Sequence, residues 1–320
     1  VMTLFYRLDY HLYLNKTLLW CLAIGMALAL LLVLVPGIGK TIAGSRRWIG
    51  LGPINVQPAE FVKLGAIIFI SGYFGHIGPL AQRYKYGFFI PLGVVGLLLG
   101  LVVIQPDFGS TIILGGLSGL TLLTSGARFR RLIGPFLIVL LAVGALLFAN
   151  DNRRARLINE QEGENYQAKQ SEIAFQNGGV WGVGLGRGIQ KEHYLPECHT
   201  DFIFAVIAED LGLVATASVA TAYFLILLCG CTIALRAPDR QGMALAIGAV
   251  TLICAQAFAN IAVVTHLFPT KGLALPFLSY GGSSLLSSYA AIGVLLGVAR
   301  TTSAAENLPP PPGGRLISLT

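Results

Sequence analysis

Phe88-Phe89-Ile90-Pro91-Leu92-Gly93-Val94-Val95-Gly96-Leu97-Leu98-Leu99-Gly100-Leu101-Val102-Val103-Ile104 holds no charged residue, and this stretch decides the class of the protein. As a helix rising roughly 1.5 Å per residue it would be about 26 Å long, close to the hydrocarbon thickness of a bilayer. It stops at Gln105-Pro106-Asp107, and a second apolar run follows at once over 108–125. Comparable runs occupy 17–35, 60–75, 132–149, 211–235, 243–268 and 281–299. The chain is therefore expected to cross a membrane eight times. The repeated ten-residue alternation of a transmembrane β-barrel does not occur, which argues for helices.

Composition agrees. Of 320 residues, 55% are hydrophobic and 12% charged, and mean hydropathy is +0.72; a soluble domain carries about 25% charged residues. The net charge of +7 could suggest nucleic acid, but the basic residues cluster in loops between spans, so no nucleic-acid partner is expected. The loops 1–16, 76–87, 126–131, 236–242 and 300–320 hold 11 Lys and Arg, whereas the short loops 36–59, 105–107 and 269–280 hold 4. By the positive-inside rule the first set is cytoplasmic, and the long polar loop, 150–201 between spans, faces outward. Cys198 stands alone in that loop, so no disulfide framework follows. Cys229 and Cys231 point about 200° apart on a helix, which favours core packing over a metal site. No signal peptide is visible, and Val1-Met2-Thr3-Leu4-Phe5 reads like the end of another hydrophobic segment.

The domain plan is one helical bundle over 1–300, with an outer loop region at 150–210 and a proline-rich cytoplasmic tail at 301–320. Helix starts recur as Gln57-Pro58 and Gln105-Pro106, where proline suits the first turn. Within the long loop, 166–175 reads as a short amphipathic surface helix. Gly178-Gly179-Val180-Trp181-Gly182-Val183-Gly184-Leu185-Gly186 reads as flexible backbone able to approach a ligand; no strand precedes it, so it is not a dinucleotide fingerprint.

Chemistry concentrates where the loop re-enters the membrane, at Tyr194-Leu195-Pro196-Glu197-Cys198-His199-Thr200-Asp201-Phe202-Ile203-Phe204. Asp201 can cap the following helix, and a helix N-terminus also favours its ionised form, as a general base requires. Glu60 and Lys63, three apart on one helix, could neutralise each other or leave Lys63 facing a cavity. Lys271 lies in a segment, 268–284, broken by prolines and glycines; irregular backbone at that depth must be buried or line a wet cavity. Arg46, Arg47, Lys63, Lys191 and Lys271 all map to the outer half, and gathered together they would suit a diphosphate. Glu209 and Asp210 begin the next span, so part of 202–210 is expected to lie along the surface.

These motifs resemble the SEDS family (shape, elongation, division and sporulation proteins). The resemblance rests on Ser45-Arg46-Arg47-Trp48-Ile49-Gly50-Leu51-Gly52, Gln57-Pro58-Ala59-Glu60-Phe61-Val62-Lys63-Leu64, Gln105-Pro106-Asp107-Phe108-Gly109-Ser110, Gln170-Ser171, the 195–204 stretch and Leu275-Pro276-Phe277-Leu278-Ser279-Tyr280-Gly281-Gly282-Ser283-Ser284. They run in family order over nearly the whole chain. The family's fold is an all-α polytopic bundle of ten spans with a large extracytoplasmic loop; here eight spans and a stub at 1–14 are legible. The loop also lacks the family's usual Phe-Leu-Asp/Asn-Pro stretch. The resemblance implies a peptidoglycan glycosyltransferase that polymerises lipid II, with Asp201 as base on the acceptor 4-hydroxyl and undecaprenyl diphosphate leaving. It adds Glu60, Gln105, Asp107, His199 and Ser283 to the substrate-binding set, with Glu197 as a structural neighbour. No tightly bound cofactor is expected; a divalent cation, Mg²⁺ or Mn²⁺, is the one addition the chemistry admits. Gln190-Lys191 and Pro269-Thr270-Lys271-Gly272 point to the division branch over the elongation branch. Implied partners are a class B penicillin-binding protein of the FtsI kind, regulators like FtsQ, FtsL and FtsB, and membrane lipid. The implied location is the bacterial cytoplasmic membrane at the division septum. The competing readings are a transporter for lipid-linked sugars, which would place its charges near the midplane, and a structural scaffold, which would need neither Asp201 nor the cations.

Overall fold

A computed structural model gives the architecture and describes residues 1–42, 45–52, 54–128, 134, 166–195, 198–268 and 272–306. The expected span at 132–149, the start of the outer loop, Glu197, Lys271 and the tail beyond 306 lie outside them. The other seven expected runs are all helices long and apolar enough to cross a membrane: Lys16–Leu34, Pro58–Gln82, Lys85–Ile104, Phe108–Ser125, Ile203–Arg236, Arg240–Val264 and Gly282–Ser303. The chain is a multi-pass membrane protein. Local chemistry marks the helix starts. Asn15, Asp107 and Asp239 cap the helices that follow them by accepting from the amides of Thr17, Ser110 and Gly242, and Pro58 occupies a first-turn position.

Pro58–Ile77 is the axis of the bundle and is buried along most of its length. It packs against Lys16–Leu34, Phe108–Ser125, Arg240–Val264 and the last helix, Gly282–Glu306. The N-terminal stub forms two short helices, Met2–Arg7 and Tyr10–Tyr13, laid on the last helix. The Ile203–Arg236 helix sits at the bundle edge and touches chiefly Arg240–Val264. This corrects the reading of Cys229 and Cys231 as core residues: both are exposed on that outlying helix.

A purely helical reading also needs correction between the first two spans. Gly39–Ile42, Ser45–Leu51 and Ile54–Val56 form a three-stranded antiparallel sheet, with Gly39 opposite Ile49 and Gly50 opposite Asn55. Ile42, Trp48, Ile49, Ile54 and Val56 suit a pleated surface, and chain that has left its helix must pair its backbone some other way.

The second correction concerns the glycine-rich stretch. It is not an open loop awaiting a ligand, because its backbone is spent on the next helix. Ile203–Arg236 breaks at Gly212, whose φ of 77° and ψ of −172° are not helical. The break strands two carbonyls and two amides. The amides of Val183 and Gly184 donate to the carbonyls of Glu209 and Asp210, and those of Leu213 and Val214 donate to Gly179 and Val180. Gly182 (φ 78°) makes this approach possible, since a Cβ there would stand 2.3 Å from the Asp210 carbonyl oxygen. The same break sets 203–211 apart from the long spanning section, where the sequence led one to expect a change of course. Gly182→Ala is expected to cost roughly 2–4 kcal/mol, from backbone strain plus the clash. Gly186→Ala, at similar φ but with open space around it, should cost about 1 kcal/mol. Melting temperatures in detergent check the difference; equal small losses would mean the clasp carries no load.

At the opposite end of that helix the stub is tied down by charge. His11 Nδ1 lies 2.8 Å from Asp9 Oδ1 and its Nε2 3.0 Å from Asp239 Oδ2, while the buried Tyr10 hydroxyl donates to Asp239 at 2.8 Å. Burial works against the charged form of His11, but hydrogen bonds and attraction from Asp9 and Asp239 outweigh it and raise its pKa. Asp9 is lowered, first by the His11 amide. Burial of Asp239 is outweighed by hydrogen bonds from the Gly242 amide, Tyr10 and His11, so its pKa falls too. The histidine contribution is complete below its unfolded pKa of about 6.5 and is lost as pH rises through the higher folded value; the aspartate contributions persist above about 3.9 and fade as pH falls through the lower folded ones. The fall in melting temperature caused by His11→Ala should therefore be larger at about pH 6 than at about pH 9.

Candidate functional site

Asp201 sits in the turn that delivers the chain to the helix starting at Ile203. The turn is held from outside itself. Three successive carbonyls, those of His199, Thr200 and Asp201, accept in order from the Tyr280 amide (2.9 Å), the Ser279 hydroxyl and Asn260 Nδ2 (2.7 Å). Phe202 beside them is buried and anchors the turn. The Asp201 side chain is partly exposed; its Oδ2 lies 2.9 Å from the position a Cβ on Gly272 would take. The carboxylate thus rests against the backbone of the 272–281 segment, which is non-helical as its prolines and glycines foretold. His199 is exposed at the same mouth. Lys271 lies outside the described residues, one position from Gly272.

A second network joins elements remote in sequence at this end of the bundle. Arg47 donates to Ser45 Oγ (3.1 Å) and to the Pro106 carbonyl, and its Nη1 lies 3.7 Å from Asp107 Oδ1. Gln57 Nε2 donates to Asp107 Oδ2 (3.2 Å), and the Gln57 amide donates to Ser283 Oγ (2.9 Å). Gln105 Nε2 donates to the Leu30 carbonyl (2.9 Å) and Arg46 to the Leu34 carbonyl (3.3 Å). In this structure Arg46, Arg47, Gln105, Asp107 and Ser283 therefore tie the sheet, the 105–107 turn and three helix ends together. The Gln57–Asp107 bond joins the Gln57-Pro58 helix start to the turn after Gln105-Pro106; there the expected start is displaced, because Asp107 caps a helix that begins at Phe108 and Pro106 lies in the turn before it.

Two of the lysines expected around a diphosphate, Lys63 and Lys191, are already engaged. Lys63 is 0% exposed and its Nζ lies 2.7 Å from Glu60 Oε1. Gln256 Nε2 donates to Glu60 Oε2 (3.3 Å), and Ser287 Oγ donates to the Glu60 carbonyl (2.9 Å). Of the two alternatives for this pair, mutual neutralisation inside the bundle is what the structure displays; Lys63 does not face a cavity. Lys191 Nζ lies 2.8 and 3.0 Å from the two oxygens of Asp210, which also accept from the amides of Gly186 and Gly188. Its neighbour Glu209 accepts from the amides of Ile189 and Gln190. This adjacent acidic pair clasps the glycine-rich loop to the helix. Among the described residues no cluster of three or more His, Cys, Asp and Glu is placed to hold a metal ion.

Sequence reasoning missed Asn260, Ser279, Gln256 and the clasping role of Glu209 and Asp210. One signal was available. Gln256 and Asn260 are side-chain amides four residues apart in the run 243–268, hence on one helix face. A polar pair in a spanning helix needs partners from neighbouring elements.

Comparison with known proteins places the molecule. A family model of FtsW/RodA/SpoVE cell cycle proteins matches residues 1–304. The chain belongs to that family. A relative from Geobacter metallireducens, named as a probable peptidoglycan glycosyltransferase FtsW, is 40% identical over 281 residues, covering 86% of this chain and 75% of the relative. Among solved structures, one described by the structural coordination of polymerization and crosslinking by a peptidoglycan synthase complex superposes with TM-score 0.75 at 27% identity. It covers 94% of this chain and 85% of that one. A mutant of the rod shape determining protein RodA from Thermus thermophilus gives 0.68 at 28% identity, covering 94% and 84%. The family assignment agrees with the SEDS resemblance and with its helical bundle.

If Lys63 and Glu60 form a closed pair, removing one partner strands a buried charge. Lys63→Met is expected to destabilise by about 3–5 kcal/mol, with most of the loss recovered in the Glu60→Gln/Lys63→Met double variant. Thermal unfolding in detergent checks this; no recovery in the double variant would mean that Lys63 serves another group.

Proposed function

We propose that this chain is a peptidoglycan glycosyltransferase that polymerises lipid II for septal wall synthesis, with Asp201 as its general base. The observation carrying the assignment of the base is the seating of Asp201. Its turn is held at three consecutive carbonyls while its side chain stays partly exposed, with the carboxylate against the backbone at Gly272. A base must be placed within hydrogen-bonding reach of the proton it removes, and a turn held in this way supports that reading. Asp201 takes the proton of the acceptor GlcNAc 4-hydroxyl as that oxygen attacks the anomeric carbon of the donor MurNAc. The bond to undecaprenyl diphosphate breaks with inversion, so no enzyme nucleophile is needed. The departing diphosphate gains negative charge, and cations near the base stabilise it; Lys271, which lies outside the described residues, is the proposed candidate. A divalent cation, Mg²⁺ or Mn²⁺, would add to the same stabilisation.

The relatives' names support the activity, and the likeness to a synthase complex supports a class B penicillin-binding protein of the FtsI kind as partner. Regulators like FtsQ, FtsL and FtsB, and a location in the cytoplasmic membrane at the septum, follow from the division-type reading. The closed Glu60–Lys63 pair leaves no free charge at that point of the bundle for a transported solute, whereas the transporter alternative leaned on Lys271 and the broken segment around it. Wild-type protein with its transpeptidase partner and lipid II should yield glycan strands on gels. Asp201→Asn and Asp201→Ala should lose activity by at least about 100-fold, the usual worth of a general base, with unchanged melting temperature. Full polymerisation by either variant would overturn the assignment.

A further inference from the structure

The broken segment after Val264 and the turn bearing Asp201 are far apart in sequence, yet one side chain joins them. Asn260 projects from the Arg240–Val264 helix and is 1% exposed. Its Nδ2 donates both of its hydrogens, one to the Asp201 carbonyl at 2.7 Å and one to the Leu273 carbonyl at 2.6 Å. Leu273 follows Gly272, against which the Asp201 carboxylate lies. A single amide group therefore sets the separation between the backbone that carries the carboxylate and the backbone the carboxylate rests on. Ser279 repeats the device one residue earlier: its hydroxyl accepts from the Leu275 amide (2.7 Å) and donates to the Thr200 carbonyl.

We propose that Asn260 is the positioning residue for the general base, with Ser279 as its auxiliary, and that neither touches substrate. The inference rests on the assignment of Asp201. Burial supports a positioning role, because a side chain 1% exposed in a spanning helix cannot meet a sugar or a diphosphate without first losing both bonds. Chemistry supports it as well: among side chains only an amide, a guanidinium or an ammonium offers two donors from one atom, and either cation there would bring an unpaired charge into the bundle. An aspartate of the same shape would set its oxygens against two carbonyls.

The test compares Asn260→Ala, Asn260→Asp and Ser279→Ala with wild type in the partner complex, using lipid II and reading kcat, KM, pH profile and melting temperature. Asn177→Ala, which removes a bond to Glu209 rather than one to this turn, serves as the control. Misplacement of a reacting group by about 1 Å costs on the order of 100-fold in rate. The expected result is a fall of that order in kcat for both Asn260 variants, with KM for lipid II within about threefold of wild type and a displaced acid limb in the kcat profile. Ser279→Ala should lose about tenfold in the same pattern, and it keeps the test decisive if Asn260 variants do not fold. Wild-type kcat and pH profile in folded variants, or an activity loss that only tracks the unfolded fraction, would overturn the inference while leaving Asp201 standing. Retained activity in Asp201→Asn would instead remove its premise.

Discussion

A backbone amide or carbonyl without a partner is expensive inside a bilayer, and this constraint shapes each irregular part of the molecule. The helix from Ile203 breaks at Gly212 and sets free two amides and two carbonyls, and the stretch 179–184 returns to bond all four. The turn at 199–201 offers three carbonyls outward, and they are taken by Asn260, Ser279 and Tyr280. Between the first two spans the chain solves the same problem by building a small sheet. Glycine appears where backbone must come close to backbone, as at Gly182, and to a carboxylate, as at Gly272.

Charge obeys a parallel rule. Glu60 and Lys63 enter the bundle as a pair, with Gln256 completing the carboxylate. Asp210 is met by Lys191 and two amides. Asp9, His11 and Asp239 bind the stub to the turn at the far end. With these pairs closed, Arg46, Arg47, Lys63 and Lys191 serve the structure, while Asp201 stays partly exposed at the entrance of its helix.

Much of the bundle was legible because its signal is local. A charge-free run such as 88–104 has one stable solution in lipid, and Asp107 or Asp239 before such a run announces a cap. The placement of Asp201 at a helix entrance was legible from the apolar run that follows it, although the N-cap position belongs to Phe202 and carries no side-chain cap bond. The sheet was harder to see: its strands are three to seven residues long, too short for an alternating pattern to stand out from a glycine-rich loop. The glycine stretch was misread because glycine reports close approach without naming what approaches. Here the neighbour was a helix break nearly thirty residues further on.

Sequence alone determined that the chain crosses the membrane repeatedly, where those crossings lie, and that Asp201 stands at a mouth, since hydrophobic length and helix capping depend only on neighbouring residues. The tertiary structure decided which polar groups are spent on one another. It matched Lys63 to Glu60, Lys191 to Asp210 and Arg47 to Asp107, and it brought Asn260 between the turn at 201 and the segment at 273. Whether neighbours such as Glu60 and Lys63 close on each other, and whether groups as remote as Asn260 and Asp201, 59 residues apart, meet at all, depends on how the helices pack, a property of the assembled bundle that no single stretch of residues encodes.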